Sequence, residues 1–167
     1  YGMTENQLAE MDELKLTPAQ YVDILDSKSR FSSALEDVTQ AWKQGESPDP
    51  KQLEDAYDFY KSLKGGKTEA YNNLTSAAKA YIAVRQSGED SGLFLRVYRT
   101  YRYISAQDKP AAEKALDWNY NLDKVGVPNG LKSSLLSTLG FTTTLRQDSG
   151  KYGELTGSGL EADKAKK

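Results

Sequence analysis

The chain reads as all-α: a bundle of five to six helices followed by a flexible, Gly-rich C-terminal tail. Three observations carry that reading. Apolar residues recur at three- and four-residue spacing along most of the chain. Helix starts and stops of recognisable chemistry bracket those stripes. Hydrophobic residues make up 38% and charged residues 28% of the 167 positions, which supplies a core and keeps the chain out of the disordered class. The expected organisation is an acidic N-terminal arm at 1–16, a helical bundle domain at 17–141 and an extended, flexible tail at 142–167.

In the arm, Leu8, Met11 and Leu14 are spaced for a short helix. Thr17-Pro18-Ala19-Gln20 then marks a helix start: Thr17 as N-cap, Pro18 at the first helical position and Gln20 completing a capping box. From there Tyr21, Ile24, Leu25, Phe31, Leu35, Val38 and Trp42 form the stripe of one long helix, the spine of the bundle, which Gly45 ends. Asp49-Pro50 opens the next helix, with Leu53, Ala56, Tyr57, Tyr60 and Leu63 inward and Gly65-Gly66 as its stop. Thr68 is expected to cap a third helix that runs through Ala70, Tyr71, Leu74, Ala77, Ala78, Tyr81 and Val84 to Ser87-Gly88.

The segment Leu93 to Ile104 is ambiguous. Leu93, Val97, Tyr101 and Ile104 fit a helix, while strict alternation and β-branched and aromatic content fit a strand. A lone strand among helices has no pairing partner, which favours the helix. Asp108-Lys109-Pro110 starts a fifth helix with Ala112, Ala115, Leu116 and Leu122 inward, and 125–128 is a loop. Leu131, Leu135, Leu136 and Leu139 make a sixth helix closed by Gly140. Gly150, Gly153, Gly157 and Gly159 mark the tail.

The chain contains no histidine and no cysteine. That excludes an imidazole proton shuttle, a thiol nucleophile, histidine or thiolate metal ligation and a serine-histidine triad. The carboxylate pairs Glu36-Asp37, Glu54-Asp55 and Glu89-Asp90 follow no metal-loop pattern and read as solvated helix faces. Gly65-Gly66-Lys67-Thr68 ends like a phosphate loop, but the first glycine of that motif falls on Lys61. No catalytic, cofactor or metal residue is therefore expected. A net charge of −2 and a pI near 5.3 argue against general nucleic-acid binding. No stretch is apolar enough to span a bilayer, and no hydrophobic signal segment is present. The start Tyr1-Gly2-Met3 suggests a processed protein or a trimmed chain.

The most distinctive chemistry lies in Phe94-Leu95-Arg96-Val97-Tyr98-Arg99-Thr100-Tyr101-Arg102-Tyr103. As a helix it places Arg96, Arg99 and Arg102 on adjacent turns of one side with Tyr98 alongside. Arginine and tyrosine dominate protein–protein hot spots, so Arg96, Arg99, Arg102, Tyr98 and Tyr103, with Arg146 and Tyr152 in the tail, are the candidate partner-binding residues. The plainer alternative is that the arginines pair with neighbouring carboxylates while the tyrosines bury their rings. Stacking on nucleic-acid bases is a third use of such residues, disfavoured by the acidic balance. Tyr21, Tyr57, Tyr60, Tyr71, Tyr81 and Tyr101 lie on apolar stripes and read as core, as do Trp42 and Trp118.

The run from Leu95-Arg96 through Tyr103-Ile104-Ser105-Ala106, then Lys109-Pro110 and a helix ending Asn121-Leu122-Asp123, resembles the PsbQ-type extrinsic subunits of photosystem II. The resemblance covers about 93–123 and needs a one-residue shift. The segment before it has more helices than the family's four-helix plan, and the segment after Pro128 departs from the family's last long helix. It implies a non-enzymatic accessory subunit in the thylakoid lumen, docked on a large membrane-associated complex of photosynthesis through its basic face and tails. The expected function is thus a helical accessory or structural subunit of a larger assembly. A bacteriophage or virus structural protein (head, adaptor or ejection component) is the alternative, and a carboxylate- or tyrosine-based hydrolase or transferase is a third.

Overall fold

A computed structural model of the chain describes residues 3–139. Those residues form eight helices and no strand: α1 (Glu5–Leu14), α2 (Pro18–Lys43), α3 (Lys51–Lys61), α4 (Lys67–Asn72), α5 (Ser76–Gln86), α6 (Ser91–Ser105), α7 (Ala111–Lys124) and α8 (Asn129–Thr138). The all-α class holds, with more helices than the five to six expected. The stop at Gly140, the tail 142–167, Arg146 and Tyr152 lie outside the described residues. The chain packs as two units, Tyr1–Ile82 and Ala83–Lys167, with α5 crossing the boundary.

In the first unit α2 is the spine, packed on α3 and α4. Its start is the one the sequence signals. The Thr17 hydroxyl accepts from the Gln20 N–H at 3.1 Å, and the Gln20 side chain accepts from the Thr17 N–H at 3.0 Å. Two of the helix's orphan donors are satisfied in this way. At the other end Gly45, at φ 76°, turns the chain so that Glu46 N–H reaches Ala41 C=O at 2.8 Å, a Schellman closure. Tyr21, Ile24, Phe31, Ala34, Leu35 and Val38 bury the inner face of α2. Trp42, expected in that core, is only half-buried. The Tyr81 ring meets the edges of Phe31 and Tyr57 at 6.1 and 5.9 Å between centroids.

The single helix expected between Thr68 and Ser87 is two helices. The first starts two residues earlier than the Thr68 cap would put it: Gly66 is its N-cap, in the left-handed region at φ 68°. The break at 73–75 has a local cause. The Asn73 side chain donates back to Glu69 C=O at 2.9 Å, and the Thr75 hydroxyl accepts from the Ala78 N–H at 3.2 Å, so short polar side chains end one helix and cap the next. The arm also holds a formed helix. α1 has its own capping box between Thr4 and Gln7. It buries none of its residues, and Glu10 ties it down by accepting from the Tyr21 hydroxyl at 2.6 Å.

In the second unit α6 packs on α7, and α7 on α8. The ambiguous segment is a helix, capped by Asp90, whose carboxylate accepts from the Leu93 N–H at 3.2 Å. Trp118, Ala115 and Leu122 form the buried side of α7, and Leu131, Leu135 and Leu139 bury the C-terminal segment. Leu116 and Leu136, expected inward, are half-buried at the margins of those faces. Lys132 of α8 pairs with Asp123 of α7 at 3.0 Å, and Lys114 donates to Ser105 C=O at 2.9 Å, closing the end of α6.

Candidate functional site

The candidate surface is built on α6. Leu93, Phe94, Val97, Tyr98 and Ile104 face inward, which turns Arg96, Arg99 and Tyr103 outward at i, i+3 and i+7. All three are exposed, Tyr103 at 70% of its possible area. Arg102 is also exposed but sits at the flank of this stripe. Its guanidinium lies 5.8 Å from the Tyr98 ring centre and donates to the Tyr98 hydroxyl at 3.5 Å.

Tyr98 itself corrects the sequence expectation. It is 7% exposed and stacks on Phe94 at 5.4 Å with the rings 19° apart. It therefore offers little contact area and serves as the bearing under Arg102. Inward burial at i and i+4 by Phe94 and Tyr98 widens the core face past the simple Leu93–Val97–Ile104 line, and so takes Tyr98 in. On the inward face Tyr101 places its ring edge-on to Trp118 at 5.7 Å and 67°. The arginine stripe thus stands on a helix whose inner face packs on α7, with Tyr101 against Trp118, the rigid backing a docking face needs.

Charge is concentrated there. Arg96, Arg99 and Arg102 are the only charged residues of α6. Arg96 forms no ion pair with another described residue, so the plain reading, neutralisation by adjacent helices, does not account for it. The two units differ in sign as well: 1–82 carries fourteen acidic against nine basic side chains, 83–167 ten against thirteen. The chain-wide figure of −2 conceals this segregation.

The carboxylate pairs, by contrast, do local structural work. Asp37 accepts from the Gln52 side chain, Asp55 pairs with Lys51 at 3.0 Å, and Asp90 caps α6. No cluster of three or more carboxylates suited to a metal ion occurs among the described residues. Of the lysine that mimics a phosphate loop, the ammonium donates to Lys61 C=O at 3.1 Å and lies 5.7 Å from the Tyr60 ring centre. A groove of about 260 Å³ lined by Ser29, Arg30, Ser33, Gln52, Asp55 and Ala56 lies between α2 and α3. Its charged groups are already engaged, Arg30 with Asp26 and the Phe59 ring, Asp55 with Lys51.

No family model, curated protein or solved structure matches this chain.

The sequence reading missed two exposed features. Tyr120 of α7 is 62% exposed, with Lys124 lying 5.4 Å from its ring centre. Leu8 of α1 is 44% exposed on an otherwise acidic helix. Tyr120 falls opposite the inward face of α7, so the spacing rule would have found it, whereas Leu8, spaced with Met11 and Leu14, stands at the edge of that stripe and outside its cover.

Proposed function

We propose that this chain is a non-enzymatic docking subunit, which binds an acidic protein surface of a larger assembly through Arg96, Arg99 and Tyr103, with Arg102 at the margin. One observation carries the reading: an exposed arginine–tyrosine stripe free of acidic residues on a helix whose opposite face packs on α7, with Tyr101 against Trp118. Guanidinium groups recognise carboxylates by paired, directional hydrogen bonds, and a flat tyrosine ring adds contact area at small entropic cost. The structural roles taken by Asp37, Asp55 and Asp90 support the non-enzymatic part. The resemblance of 93–123 to PsbQ-type subunits supplies the assembly to test first, the lumenal surface of photosystem II.

The test is charge reversal. Arg96→Glu with Arg99→Glu is expected to weaken capture of the partner by about tenfold or more, since attraction becomes repulsion at two contacts. Both positions are exposed, so the far-UV circular dichroism and melting temperature stay within the small range of surface changes. Capture equal to that of the unaltered chain rejects the reading.

A further inference from the structure

The arginine stripe of α6 has a matching surface on the same chain. On α1, Gln7, Met11 and Leu14 are partly buried, which turns Glu5, Leu8 and Asp12 outward at i, i+3 and i+7. Ala9 and Glu13 widen that face. The spacing is the same as that of Arg96, Arg99 and Tyr103, so each stripe extends about 10 Å along its helix. The two helices are opposite in charge. α1 contains four acidic residues and no basic one, and α6 three basic residues and no acidic one. Each presents one exposed large apolar or aromatic side chain within its charged stripe, Leu8 and Tyr103. A ten-residue helix is marginal by itself, and α1 buries none of its residues, so an outer partner would add to the few contacts that hold it.

We infer that α1 of one copy docks on the α6 face of a second copy. The inference rests on the docking role of α6 proposed above and names one partner for it. The contact joins two different surfaces, so it either closes reciprocally in a two-fold dimer or repeats head to tail into a ring or chain. Two single-helix faces make a small interface, which belongs in the weak, salt-sensitive class.

The test is sedimentation velocity on the chain at high concentration, in about 20 mM and about 500 mM salt, where the screening length differs severalfold. Self-association is expected at low salt, to a dimer or beyond, and is lost at high salt. Arg96→Glu/Arg99→Glu and Glu5→Lys/Asp12→Lys should each weaken it by about tenfold or more. Mixing the two variants should restore it, because reversed α6 then meets reversed α1 while the remaining pair is unaltered. The absence of cysteine gives a second readout. With dissolved oxygen as the oxidant, Leu8→Cys and Tyr103→Cys on separately tagged copies should form a mixed disulfide faster at low salt than at high salt.

A wild-type chain that stays monomeric under all these conditions overturns the inference, as does self-association that survives the α1 reversal. The partner-capture test keeps the two readings apart. If α6 reversal abolishes capture of the assembly while the wild-type chain remains monomeric, the docking role stands and the second copy is not its partner.

Discussion

Gly66→Ala is the sharpest probe of the first unit, because it combines two separable costs. Gly66 sits at φ 68°, where an alanine is strained by about 1–2 kcal/mol. The substitution also stiffens the unfolded chain, which returns about 0.4–1 kcal/mol. The backbone part alone therefore leaves a net cost near 1 kcal/mol. Gly45 isolates that part, since it has φ 76° and an added Cβ there meets nothing within 4 Å. At Gly66 the same Cβ would stand 2.9 Å from Ile24 Cδ1 and 3.3 Å from Leu16 Cδ2. Forcing side chains aside in a packed core costs about 1–3 kcal/mol more. Ile24 Cδ1 is the tip of a flexible side chain, but Ile24 is 1% exposed and has little room to swing. A total of about 2–4 kcal/mol follows for Gly66→Ala, against about 1 kcal/mol for Gly45→Ala.

The assay is urea unfolding in a common Trp118→Phe background, so that Trp42 fluorescence reports the first unit, with circular dichroism as second probe. Ile24→Val supplies the decisive control, because it deletes the Cδ1 atom in conflict. It costs about 0.5–1.5 kcal/mol alone, yet combined with Gly66→Ala it should cost less than the sum by about 1 kcal/mol. Equal losses for the two glycine substitutions, or strict additivity with Ile24→Val, would refute the packing argument.

Three further predictions follow from single contacts. Thr17→Ala removes one half of the α2 capping box and should cost about 1 kcal/mol in urea unfolding, while Thr17→Ser should be close to neutral. The Tyr21 hydroxyl is pushed up to about 12 by its hydrogen bond to Glu10, then by burial and by the Glu10 charge. Its folded-state value lies above the unfolded one, so its contribution is complete below pH about 10 and is lost as pH rises towards 12. Tyr21→Phe should flatten the fall in stability across that window, and an unchanged slope in alkaline urea titrations counts against the Glu10 tether. Arg96→Lys with Arg99→Lys keeps the charge and removes the paired donors; capture of the partner should drop severalfold, and full retention would show that charge alone suffices.

Helix boundaries were legible where the signal is chemical and local. Thr17-Pro18-Ala19-Gln20 names its own cap, and Asp49 accepts from the Lys51 N–H at 3.0 Å, just ahead of the predicted start of α3. The break between α4 and α5 was not legible, because the apolar stripe from Ala70 to Val84 continues in phase across it. Only the competition of Asn73 and Thr75 for backbone groups interrupts the helix. On α6 the lack of a pairing partner for a lone strand correctly decided for the helix, but the stripe could not say how wide the buried arc would be. Phe94 and Tyr98 lie at its edge, and their stacking moved Tyr98 inside and left Arg102 on the flank. The division at Ile82 and Ala83 falls inside one continuous helix, where no linker composition could mark it.

The choice of cation along the chain bears on the docking reading. Lysine does much of the local work: Lys51 pairs with Asp55, Lys109 with Asp117 and Lys132 with Asp123, while Lys67 and Lys114 donate to helix-end carbonyls. A flexible ammonium suits those tasks, which need a point charge within reach of one oxygen. For solubility alone lysine would serve α6 equally well. Three arginines within seven residues, beside an exposed tyrosine and without one acidic neighbour in the helix, add forked donors and flat surface that solvation does not require. Those properties gain value when a carboxylate-bearing surface approaches and water leaves. The outward face of α1, with Glu5 and Asp12 on either side of Leu8, is a surface of that chemistry.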